Sequence, residues 1–268
     1  MSHEENSSLS QEIRQQIRSL SKEKSFKVEN EDDIVSEIFR VIQGHPLSVK
    51  LFVQCCTNDI QQVLNTKTVK EQLPHCVGKL VEDVLEETIF KQLQLDARYP
   101  VAKDILQYLA VPRYLWPDIP RHLLPDFLPA YAKKPRFFYA RFFEEEIIFE
   151  REEGEEGIRY RLNPEVRHIL LENMRLNTRD QLMKIRETLI KKYEEWSSKN
   201  QDGSQIVHFT EKLYHTAMLL IEKRTDSSVT KCLCEEMHTY LNTHFLSLTG
   251  ENKQLLSHLR EKLGAILN

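Results

Sequence analysis

The sequence predicts a mainly α protein: a helical bundle, then a segment holding one β-hairpin, then a C-terminal stretch of further helices. Three observations predict it. Apolar residues return every three or four positions through most of the chain, the mark of amphipathic helices. One stretch only, around residues 147–162, alternates apolar and charged residues with period two. Glycine is scarce, 7 in 268 residues, so the Gly and Pro positions stand out as boundaries.

The bundle is expected over residues 1–98. "SQEIRQQIRSL" places Ile13, Ile17 and Leu20 on one face, and "NEDDIVSEIFRVIQ" does the same with Ile34, Val35, Ile38, Phe39, Val41 and Ile42. Asn30 or Asp32 is the expected cap of the second helix, with acidic residues in its first turn. Gly44 suits the left-handed position past its end, and Pro46 suits the first position of the next helix, "LSVKLFVQCC". A further amphipathic helix is read from "LPHCVGKLVEDVLEETIFKQL", broken by "RYP".

Residues 99–176 change character. "VAKDILQYLAV" reads as a helix, "PRYLWP" as a turn, "DIPRHLLPDFL" as a short helix, and "KKPRFFYARFF" as helical or irregular. In "IIFEREEGEEGIRYRL", Ile147 and Phe149 on one arm and Ile158, Tyr160 and Leu162 on the other alternate with charge around Gly154 and Gly157, which predicts a hairpin with one apolar face. Asn163 and Pro164 then supply an N-cap and a first-turn proline for "EVRHILLENM". Two helices, a short third and a hairpin follow the order of a winged-helix domain. Residues 177–268 read as four helices joined by polar loops such as "NQDGSQ" and "RTDSS", either a helical bundle or the start of a short helical-repeat array.

Composition excludes several classes. Charged residues at 29% and hydrophobic residues at 40% describe a soluble globular chain. No apolar run is long enough for a membrane span, and the polar, acidic "MSHEENSSLS" has no signal-peptide pattern, so the cytoplasm is expected. A net charge of -4 argues against general attraction to nucleic acid. The five cysteines, Cys55, Cys56, Cys76, Cys232 and Cys234, read as reduced thiols. Zinc on Cys232, Cys234 and His238, or on Cys55, Cys56, His75 and Cys76, lacks the paired C-x-x-C spacing, so no metal is expected. His208, His215, His238, His244 and His258 fall inside amphipathic helical patterns and read as partly exposed or satisfied side chains instead of ligands. No nucleophile sits in a glycine-flanked elbow, so no catalytic residue is assigned.

The corner Gly44-His45-Pro46-Leu47, its preceding helix and "RLNPEVRHILL" (161–171) resemble motifs of the STAND ATPases, which include the NB-ARC proteins. The resemblance implies the regulatory half of such an ATPase, its helical and winged-helix parts, over about residues 26–174. It places Gly44, His45 and Pro46 next to the nucleotide, with the proline ring against the base. Two departures accompany it. There is no G-x-x-x-x-G-K-S/T loop, and the family's phosphate-reaching histidine of the winged helix falls at Asn163, which cannot carry positive charge. Little or no nucleotide binding is therefore expected of this chain alone; ATP or ADP would enter only with a P-loop domain supplied elsewhere.

The expected function is a non-catalytic regulatory and protein-interaction module. Its partner would be a nucleotide-binding domain, of its own longer polypeptide or of a relative, or another protein. The alternative is a winged-helix DNA-binding transcriptional regulator, with Lys133, Lys134, Arg136 and Arg141 on phosphate. Glu150, Glu152, Glu153, Glu155 and Glu156 on the hairpin oppose that reading, and nucleic acid is the disfavoured partner.

Overall fold

A computed structural model describes residues 3–42, 46–57, 63–84, 100–116, 149–154, 157–199, 204–223, 227–244 and 248–267. Gly44, His45, the helix expected at 118–128, Ile147, and the stretch with Lys133, Lys134, Arg136 and Arg141 lie outside them. Ten helices and two two-stranded sheets occur among the described residues, so the chain is mainly α. None of these helices is long and apolar enough to cross a membrane.

Helix α1 (His3–Lys24) buries Ile13, Ile17 and Leu20, the face its spacing predicts. Ser25 follows it with a positive φ of 58°, and the Ser21 hydroxyl donates to the Phe26 carbonyl at 2.6 Å, holding the turn. Strand β1 (Lys27–Val28) comes next, then α2 (Glu31–Ile42) with its acidic first turn. Asn30 precedes α2 with φ 57°, and its carbonyl accepts from the Ile34 N–H. Asp32 lies inside the first turn and pairs with Arg14 at 2.6 Å instead of capping.

Helix α3 (Pro46–Thr57) opens at the proline, and its buried Phe52, Val53, Cys55 and Cys56 face the bundle. Strand β2 (Val63–Leu64) pairs in parallel with β1, Lys27 opposite Val63 and Val28 opposite Leu64. Helix α4 (Thr66–Val84) starts seven residues before the expected Leu73, because Asn65 caps it: its side chain accepts from the Thr68 N–H at 2.9 Å. Pro74 therefore stands inside the helix.

Helix α5 (Pro100–Ala110) buries Ile105, Leu106, Tyr108, Leu109 and Ala110. The turn after it runs beside the hairpin formed by β3 (Phe149–Gly154) and β4 (Gly157–Leu162), and Leu115 and Tyr160 exchange two backbone hydrogen bonds of 2.8 and 2.9 Å. Phe149 stands opposite Leu162, both buried at the base, while Ile158 near the tip is 39% exposed. The apolar face of the hairpin thus fades from base to tip.

Asn163 caps α6 (Pro164–Asn177), its side chain accepting from Glu165 and Val166 N–H at 3.0 and 3.3 Å, with Pro164 in the first turn. The Asn177 amide donates to the Pro74 carbonyl at 2.9 Å, fixing α6 against α4. Helices α7 (Arg179–Lys199), α8 (Ser204–Lys223), α9 (Ser227–Thr243) and α10 (Gly250–Leu267) complete the chain. Apolar packing forms two cores. One runs from Ile13 to Tyr193, through the bundle, the hairpin base, α6 and one face of α7; the other joins α8, α9 and α10 from Leu213 to Leu263.

Candidate functional site: a buried ionic junction

Between the two cores lies a layer of charge. Arg113, in the turn after α5, has a side chain only 9% exposed. Its guanidinium donates to Glu211 of α8 at 3.1 Å, to Glu251 at the start of α10 at 3.3 Å, and to Asn252 at 3.4 Å. Tyr114 beside it donates its hydroxyl to the other Glu251 oxygen at 2.8 Å. Burial, then that bond, pushes the Tyr114 phenol up to about 12. From the hairpin, Arg159 lies over the Tyr114 ring, 4.0 Å from its centroid.

Arg167 of α6 reaches back to the same turn, donating to the Pro112 and Val111 carbonyls at 3.3 and 3.2 Å and to the Tyr214 hydroxyl at 3.3 Å. Burial raises the Tyr214 phenol, but Arg167 and Arg186 outweigh it and hold that phenol below its ordinary value. Deeper in, Arg186 of α7, fully buried, donates to Glu222 of α8 at 3.2 Å and to His215 Nδ1 at 3.5 Å. An arginine can only donate, so His215 carries its proton on Nε2.

His215 is fully buried and stacks on Tyr193 at 5.8 Å between centroids. Burial and the cations Arg186, Arg167 and Arg113 hold its pKa well below the ordinary value, so the ring is neutral. Its 3.9 Å approach to Glu211 is therefore not an ion pair. Burial pushes the Glu211 carboxyl up, against the pull of Arg113 and Arg167. Three guanidinium groups, Arg113, Arg167 and Arg186, face three carboxyls, Glu211, Glu222 and Glu251. Glu251 is half exposed, but Glu211 and Glu222 are buried, and paired charge out of water is tolerated only when each member keeps its partners.

Comparison with protein-family models, with curated proteins and with solved structures finds no match to this chain. The geometry alone therefore speaks for the junction. What it does chemically is join: Arg113 and Arg167 fasten the turn after α5 to α6, α8 and α10, and Arg186 fastens α7 to α8.

Of the residues singled out from the sequence, Pro46 opens α3 and Asn163 caps α6; these positions are not part of the junction. Cys56 and Cys76 meet in the bundle core, sulfur to sulfur at 3.6 Å, and that contact together with burial raises the Cys76 thiol. Cys232 is exposed and Cys234 half-buried. No group of three His, Cys, Asp or Glu side chains among the described residues is arranged to hold a metal. Sequence reasoning missed Arg113, Tyr114, Arg186, Glu211, Glu222 and Glu251. One signal was legible: Glu211 and His215 fall on the stripe of α8 that also carries Val207, Tyr214 and Ala217, so polar groups stood on a face the helix had to bury.

Proposed function

We propose that the chain is a non-catalytic regulatory and protein-interaction module, comparable to the helical and winged-helix parts of a STAND signalling ATPase. It acts in the cytoplasm through contacts with a nucleotide-binding domain or another protein partner. The observation that carries this reading is the ionic junction. A lever needs its hairpin segment and its C-terminal helices to move together, and Arg113 and Arg167 bind those parts through charge-assisted hydrogen bonds, part-buried at Glu211 and Tyr214 and open to solvent at Glu251.

Other features support it. Leu115 lies beside Tyr160 as a short third strand position, and Asn163 and Pro164 start α6 at once after the hairpin, an order suited to a winged helix. The Asn163 side-chain oxygen caps α6 and the residue carries no charge, so a phosphate would find there none of the ionic pairing that a protonated histidine gives. Nucleotide would then be held by the P-loop domain of a partner. On the hairpin, Arg151 and Arg159 are paired with Glu153 and Glu152, which leaves the wing little to offer a DNA backbone.

The test immobilises the full chain and offers it a STAND P-loop domain from the same genome, loaded with ADP or with a slowly hydrolysed ATP analogue. Binding that differs between the two nucleotide states is expected. Calorimetric titration of the chain alone with ATP and ADP should give no heat of binding. Micromolar affinity there, or a low-salt gel shift of random duplex DNA, overturns the reading.

A further inference from the structure

On the far side of α8 from the junction core, a groove of about 420 Å³ opens between the end of α7, the start of α8 and α9. Its floor is aromatic: the Phe209 and Tyr240 rings lie 4.5 Å apart between centroids. The His244 ring closes one side, 4.6 Å from Tyr240 between centroids, and the three hydroxyls of the lining share one property. The Ser197 and Ser198 hydroxyls both donate to the Glu194 carbonyl, at 3.0 and 2.8 Å, and the Tyr240 hydroxyl donates to the Ile206 carbonyl at 2.9 Å. A carbonyl cannot donate, so all three hydroxyl protons are committed and only lone pairs remain for the groove. The Glu194 carboxylate adds two more acceptor oxygens at the rim.

Acceptor oxygens over aromatic faces make a seat for a cation. The chain fills it in part with its own: the Lys212 ammonium stands 5.3 Å above the Phe209 ring and 3.1 Å from Glu194. Lysine is flexible, and Glu194 is 60% exposed, so this pair is easily exchanged. The groove is larger than one side chain needs, which leaves room for a flanking residue.

We infer that this groove receives an arginine side chain of a protein partner, the guanidinium displacing Lys212 from Glu194 and stacking over Phe209. A planar guanidinium with five donors matches several acceptors around a ring better than a second ammonium does. The inference concerns a surface separate from the ionic junction and does not depend on the regulatory reading.

The test titrates the full chain with N-acetyl-arginine amide, followed by backbone and side-chain NMR shifts, with the neutral citrulline derivative as control. Saturable shifts at Phe209, Lys212 and Tyr240 are expected with the arginine compound and not with citrulline. Glu194→Gln should weaken binding about threefold to fivefold, the effect of one exposed ion pair. Lys212→Met should tighten it by about twofold to fivefold, because the resident cation no longer competes. Spectra outside the groove verify that both variants remain folded. Equal binding of citrulline, absence of saturable shifts, or weaker binding by Lys212→Met overturns the proposal.

Discussion

Arg113 has given up nearly all its water, and Glu211 all but 1% of its own. Desolvation of that extent is offset only while both partners are present. Arg113→Met should therefore cost about 3–5 kcal/mol in urea unfolding, because it leaves a buried carboxylate without its cation. Adding Glu211→Gln removes the stranded charge, and the double variant should recover part of the loss. A double variant as unstable as the sum of the single ones would mean that the pairing is not what matters. His215 gives a second prediction, in pH. Its folded pKa is depressed, so the unfolded chain takes up a proton that the folded chain refuses. The His215 contribution is then unaffected above about pH 6.5 and falls as pH drops below it, by up to about 1.4 kcal/mol per pH unit. His215→Gln should flatten this slope between about pH 6.5 and 5, measured by chemical denaturation across that window.

At the scale of elements, the start of α6 is the clearest case of local chemistry deciding structure. Asn163→Ala removes an acceptor for two orphan N–H groups and should lower stability by about 1 kcal/mol, while Asn163→Asp, which can still accept, should keep it. Thermal unfolding of the two variants side by side checks this. Such elements were legible because their cause lies within a few residues: the faces of α1 and α2, the proline start of α3, the hairpin with its glycines and the capped α6. The start of α4 falls too late when read from its amphipathic stripe at Leu73, because the cap at Asn65 starts the helix earlier and leaves Pro74 inside it. The pairing of β1 with β2 was invisible for another reason. Two strands of two residues each, their partners 36 positions apart, have no periodicity to read, and their register depends on how α1 and α3 pack. The junction was hidden in the same way: Arg113 meets Glu251 across 138 positions, and only the misplaced polarity of α8 hinted at it.

At the scale of the whole molecule, two apolar cores share one polar seam. Helix α7 buries Leu182, Ile185, Leu189 and Tyr193 in the first core while packing along α8, whose other face belongs to the second. Apolar contact alone would let α8, α9 and α10 open as a separate unit, since their core is smaller and self-contained. Among the bonds that resist this are those of Arg113 with Glu211 and Glu251, of Tyr114 with Glu251, of Arg167 with Tyr214, and of Arg186 with Glu222. Hydrogen exchange read by mass spectrometry separates the two possibilities. In the native chain, the central amides of α9 and α10 should exchange with the same opening free energy as those of α6. In the combined Arg113→Met and Glu251→Gln variant, α9 and α10 should open first, at a free energy lower than that of α6 by about 2 kcal/mol or more, consistent with the loss of charged hydrogen bonds. If all three helices still opened together in that variant, the coupling would lie in the packing of α7 on α8, and the seam would be a consequence of assembly instead of its cause.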